Sequence, residues 1–102
     1  MSYWVYVIQL DPAVALDRRF RKQNPECDDA KGFFYVGQTA LDPEVRFQQH
    51  RDGVRASRIV TKHGKYLSRR RCRRCDSREE AERLERTVAD SLRRRGFAAY
   101  AN

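Results

Sequence analysis

Two phenols, a guanidinium, an imidazole and a carboxylate are the groups in this sequence whose types and spacing could support chemistry. Tyr6 lies within the apolar run YWVYVIQL, and Tyr35 lies in FFYVGQT, two residues before Gly37. Arg46 and His50 are four apart in PEVRFQQHR, which places them together on one side of a helix. Glu85 falls among Ala81, Leu84, Val88 and Leu92, the stripe that a helix of 3.6 residues per turn directs toward a core. An ionised carboxylate on such a face loses hydration and stays there only if a cation or hydrogen bonds offset the loss. Each residue also has an ordinary reading. Tyr6 and Tyr35 fit as core aromatics with satisfied hydroxyls, Arg46 and His50 as a solvated helix edge, and Glu85 as a stripe-edge acid paired with one of many arginines.

The elements that must position these groups follow from local signals. Residues 3–10 are apolar on both faces, as in a strand buried on two sides, and Asp11-Pro12 ends them. A short helix is expected around 13–22, then a loop through Asn24-Pro25 to Gly32. Residues 33–39 form a second strand. Asp42 followed by Pro43 starts a helix that runs to about Gly53. Residues 54–64 are a short helical or irregular segment, and KYLSRRRC at 65–72 is a third strand with a basic solvent side. Ser77-Arg78-Glu79-Glu80 is a capping box for a last helix ending near Arg95, with Gly96 as terminator. The tail FAAYAN packs back or frays.

With 102 residues the chain is one domain, 1–102, with a modest core. It carries 22 Lys and Arg against 14 Asp and Glu, a net charge of +8 that suits a polyanion, on a small domain usually nucleic acid. Arg69, Arg70 and Arg71, within SRRRCRR, are expected to contact phosphate, or to form a charged edge that discourages aggregation. No stretch is long and apolar enough to span a bilayer, and no export signal is evident, so an intracellular setting is expected. Cys27, Cys72 and Cys75 are expected as free thiols. Cys72 and Cys75 have the spacing of half a zinc knuckle, but the second paired ligand set is missing.

In these same residues the chain resembles the GIY-YIG nucleases. Trp4-Val5-Tyr6 stands where that family has its first motif, and Tyr35-Val36-Gly37 matches the second. VRFQQH looks like the helix that follows, with Arg46 and then His50. SREEAERLER is similar to the last helix, with Glu80-Ala81 and then Glu85 five residues after Glu80. The resemblance runs from about residue 3 to 96, with Trp4 in place of the namesake glycine and residues 11–31 as an insertion. The family's asparagine after the last helix has only Asn102 as a counterpart.

The resemblance implies an α/β fold with a small, three-stranded, mainly antiparallel sheet flanked by helices. It further implies a DNA endonuclease that hydrolyses phosphodiesters by water attack with one divalent ion, Mg²⁺ or Mn²⁺. The two tyrosines would face one shallow cleft. Tyr6 would take the water's proton, and Tyr35 would hydrogen-bond the water or the phosphate. Arg46 would clamp the non-bridging oxygens, and His50 would orient a tyrosine or the phosphate. Glu85 would be the single protein ligand of the ion, and Gly37 would allow close approach of backbone and substrate. The setting implied is DNA repair or recombination in the cytoplasm, at the nucleoid, by a monomer or homodimer with no membrane or small-molecule partner. Two competing expectations are a catalytically inactive nucleic-acid-binding module and an RNA-directed, ribosome-associated protein.

Overall fold

Residues 2–102 are described in a computed structural model as an α+β domain built on one mixed sheet. The central strand β1 (Tyr3–Leu10) pairs antiparallel along its length with β2 (Phe33–Thr39), in a register that sets Tyr6 opposite Gly37 and Ile8 opposite Tyr35. The other side of β1 is shared by β3 (Gly64–Leu67), beside Ile8–Leu10, and β4 (Arg73–Cys75), beside Tyr3–Val5. The outer side of β2 carries β5 (Ala98–Ala101), which runs parallel to it.

The sheet therefore has five strands, not three, and one parallel pair. The run at 65–72 is not one strand. After Leu67 the chain makes a 3₁₀ turn over Arg69–Arg71, with the Ser68 N–H on the Val7 carbonyl, and only then resumes pairing as β4. The tail is a strand, and its small Ala98 and Ala99 are fully packed.

Alternation along β1 sends side chains into two cores, as its two-sided apolar pattern requires. Tyr6, Ile8 and Leu10 join Phe33 and Tyr35 on one face. That face is covered by α2 (Pro43–Arg51), α3 (Arg58–His63) and the 11–31 segment, through Phe47, Ile59, Val60, Val14 and Phe20. Val5, Val7, Phe34 and Val36 form the other face under α4 (Arg78–Arg94), which presents Ala81, Ala89 and Leu92.

The 11–31 segment is not a flap. It holds a 3₁₀ turn at Pro12–Leu16 and the helix α1 (Arg18–Gln23), in place of one helix over 13–22. Phe20 is fully buried, worth about 2 kcal/mol by apolar transfer, and the Asn24 amide pairs with both N–H and C=O of Ala99.

The caps behave as their chemistry demands. Asp42 accepts from the Glu44 N–H at 2.9 Å, and Ser77 accepts from the Glu80 N–H at 3.1 Å. Gly96 ends α4 with φ +94°, a backbone conformation that suits glycine. Among the described residues no helix is long and apolar enough to cross a membrane.

Candidate active site

The strand register and the helix cap together determine which functional groups meet. Tyr6 and Tyr35 are diagonal neighbours on one face of the β1–β2 pair, with ring centroids 6.1 Å apart. α2 lays His50 against both, 5.8 Å from the Tyr6 ring and 5.6 Å from the Tyr35 ring. Tyr100 of β5 stacks on the far side of Tyr35, at 6.1 Å and 18°.

One hydrogen bond orients the whole cluster. His50 Nδ1 accepts from the Ser57 backbone N–H at 3.2 Å, and a backbone N–H can only donate. Burial and the neighbouring Arg46 charge push the His50 pKa down to about 4, so the ring is neutral near pH 7. Its single proton must then sit on Nε2, which lies 2.8 Å from the Tyr6 hydroxyl. His50 thus donates to Tyr6 and has no lone pair left to receive that phenol's proton.

The two phenols differ in their surroundings. Burial pushes Tyr6 up, with Tyr35 adding to the shift and Arg46 opposing it. The loss of hydration outweighs the pull of Arg46 on this phenol. Tyr35 is also pushed up by burial, and the polar groups gathered at its oxygen, Tyr6, Asn102 and Ser57, draw it back. The Asn102 side-chain amide donates to it at 2.6 Å.

Arg46 spends three of its five N–H donors within the chain: Nη1 on Gln49 Oε1 and the Val54 carbonyl, Nη2 on the Arg55 carbonyl. These bonds tie residues 54–55, including Arg55 at φ +44°, down beside the cluster. The Nε–H and one Nη2–H make none of these bonds, and the guanidinium lies close enough to Tyr6 to draw that phenol down. Both tyrosines are 2 % exposed, so the rings are packed under this segment instead of lining an open shallow cleft.

Glu85 belongs to the other layer. It is 6 % exposed among Ala81, Ala89 and Leu92, at the centre of the helix face, while Leu84 and Val88 lie toward the edges. The small alanines let α4 sit close to the sheet and bring Glu85 down with them. The arginine partner expected of a stripe-edge acid is absent: none of the four ion pairs among the described residues involves Glu85, nor does any hydrogen bond to its carboxylate. Among the described residues every fully enclosed side-chain polar atom is satisfied, so the carboxylate retains a narrow opening to solvent. Burial raises its pKa to about 7, and Arg86 only partly opposes the shift.

Across the sheet, Glu85 is near enough to push Tyr35 up. Ala101 and Asn102 line a groove with Arg86 and Ala89 of α4, and Asn102 reaches from it to Tyr35. Among the described residues no three His, Cys, Asp or Glu side chains converge, so a cation here would have Glu85 alone from the protein. A single carboxylate is the protein contribution that a hard, largely hydrated ion such as Mg²⁺ or Mn²⁺ takes.

The remaining sequence-marked residues are scattered. Gly37 faces Tyr6, and the space beside it is filled by the Tyr6 ring. Arg69 pairs with Glu44, and Arg70 is exposed. Arg71 turns to the α4 layer, its guanidinium 4.7 Å from the Phe34 ring centroid and bonded through Nη1 to Ser68. Sequence reasoning missed Ser57 and Tyr100. Ser57 was legible as the residue before an apolar helix, whereas nothing in AAYAN marked a ring that stacks on Tyr35.

Comparison of the chain with family models, with curated proteins and with solved structures found no match.

Proposed function

We propose that this protein is a divalent-metal-dependent endonuclease that hydrolyses DNA phosphodiester bonds. The observation that carries the reading is Glu85, a buried side chain whose carboxylate has no cation or donor among the described residues to offset the lost hydration. The motif order shared with GIY-YIG nucleases and the basic charge of the chain support it.

In this reading Glu85 holds Mg²⁺ or Mn²⁺, which supplies Lewis-acid stabilisation of charge on the phosphoryl and leaving oxygens. Neutralising the Glu85 charge also removes the coulombic push on Tyr35. Tyr35 would first release its own proton to solvent, and as the phenolate, with the Asn102 amide donating to its oxygen, it suits the role of accepting a proton from the attacking water better than Tyr6 does, a reversal of the roles that the resemblance implies. Tyr6, held by the His50 Nε2–H, is a donor that positions Tyr35 or the water. Arg46 offers its two unspent N–H groups to the non-bridging oxygens, where charge grows in the transition state.

A second reading has two observations in its favour. Both phenols are 2 % exposed and Arg46 is braced on Val54 and Arg55, as expected of a binding module that keeps these groups for its core.

Supercoiled plasmid, branched DNA and RNA incubated with Mg²⁺ or Mn²⁺ separate the two. The nuclease is expected to nick DNA in a metal-dependent way, with losses of 100-fold or more in Glu85→Ala and Tyr35→Phe, as for removal of a catalytic proton acceptor. Salt-sensitive binding without cleavage of any substrate selects the module.

A further inference from the structure

The 11–31 segment and α3 enclose a groove of about 730 Å³ whose lining includes Arg18, Arg19, Arg58 and Lys62. No side chain among the described residues pairs with any of these four cations. The one acid in the lining, Asp17, caps α1 by accepting the Phe20 N–H at 3.0 Å, so four cations share the groove with a single carboxylate. Leu16 at the rim is 85 % exposed, far more than the other exposed large apolar side chains of the chain. Four unsatisfied cations facing one groove repel one another, a cost that a polyanion removes.

We propose that this groove is a nucleic-acid site, in which Arg18, Arg19, Arg58 and Lys62 hold successive phosphates of one strand and Leu16 packs on a sugar or base. The site rests on the reading of the partner as nucleic acid and not on the cleavage chemistry. Its placement suits that partner. Gly53 and Ala56 of the lining belong to the segment that Arg46 and His50 tie down, so a strand in the groove passes beside the phenol cluster. Lys62 also lines the neighbouring groove with Arg51, Lys65 and Tyr66, and the half-exposed Tyr66 ring there offers a stacking surface along the same path. The 11–31 segment, anchored by Phe20 and Asn24, is thereby the rigid second wall of a phosphate track.

The test is fluorescence anisotropy in EDTA across a potassium chloride series, with labelled DNA and RNA of one sequence, single-stranded and duplex. The triple variant Arg18→Ala/Arg19→Ala/Arg58→Ala is expected to bind the preferred probe at least tenfold more weakly. Its slope of log affinity against log salt should flatten by about 2, since each phosphate contact contributes roughly 0.7 to 0.9. Arg78→Ala/Arg83→Ala/Arg94→Ala removes the same charge from exposed positions of α4 and is expected to change the slope by less than about 1. Arg18→Lys/Arg19→Lys/Arg58→Lys should restore the slope, and Leu16→Ser should weaken binding with the slope unchanged. Equal losses in the groove and α4 variants, or wild-type slopes in the groove variant, overturn the site. Because no metal is present, a protein that proves unable to cleave leaves this result intact.

Discussion

The Tyr6 ring occupies the space that a β-carbon at Gly37 would need. The two residues face each other across β1 and β2, and an added β-carbon would lie 2.6 Å from both Cζ and the hydroxyl oxygen of Tyr6. The glycine therefore positions a phenol, and its role as a gap for substrate gives way to that. Gly37→Ala must displace the ring from His50, at a cost of about 2 kcal/mol typical of overpacking. Chemical denaturation should show that loss together with altered tyrosine absorbance. A fully stable alanine variant with an unchanged spectrum contradicts the packing.

The Ser57–His50–Tyr6 chain of hydrogen bonds has a direction. In ¹⁵N spectra His50 is expected as the neutral tautomer protonated on Nε2, holding that state on acidification until about pH 4. An Nδ1-protonated ring, or titration near the ordinary 6.5, contradicts it.

Glu85 gives stability a pH signature. Its pKa rises from 4.5 when unfolded to about 7 in the fold. Between those values the folded chain binds more protons than the unfolded one, so this group's contribution falls as pH rises through the window and its penalty is absent below it. His50, shifted down, has the opposite slope over about pH 4 to 6.5, and the difference between variant and parent isolates Glu85. In EDTA, Glu85→Gln is expected to stabilise the protein at pH 8 by on the order of 2 kcal/mol and to be near neutral at pH 4. Equal effects at both pH values would mean that Glu85 does not titrate as a buried acid.

Much of this was legible in the sequence. Asp42-Pro43 and the Ser77 box marked both long helices, and two-sided apolarity marked β1 as central. The inward turn of Glu85 followed from helical spacing. Its lack of a partner did not, because which of 22 cations lies nearby is a tertiary fact. β5 escaped notice because AAYA is too short and too small to carry a periodic signal, and its burial comes from α4 and α1. The turn at Arg69–Arg71 looked like strand because nothing local distinguishes three arginines pairing with β1 from three that step around it. The packing of Arg71 on Phe34 was hidden for the same reason, since only the fold sets that ring beneath it.

Asn102 tests which phenol accepts the proton. Its amide donates to Tyr35, stabilising the ionised phenol, so Asn102→Ala should raise the Tyr35 pKa. If Tyr35 is the acceptor, the rising limb of the pH–rate profile moves to higher pH by about half a unit to one unit, a typical effect of one lost hydrogen bond. A profile that moves with substitutions around Tyr6 and not with this one returns the role to Tyr6.

The central claim is that Glu85 holds a divalent ion within reach of the phenols. Mn²⁺ titrated into the complex of the protein with uncleavable phosphorothioate DNA tests it most directly, read as paramagnetic broadening of side-chain resonances. The expected result is selective loss of the Glu85, Tyr35 and Asn102 signals, abolished by Glu85→Gln. Broadening that ignores these residues, or that persists unchanged in the variant, contradicts it.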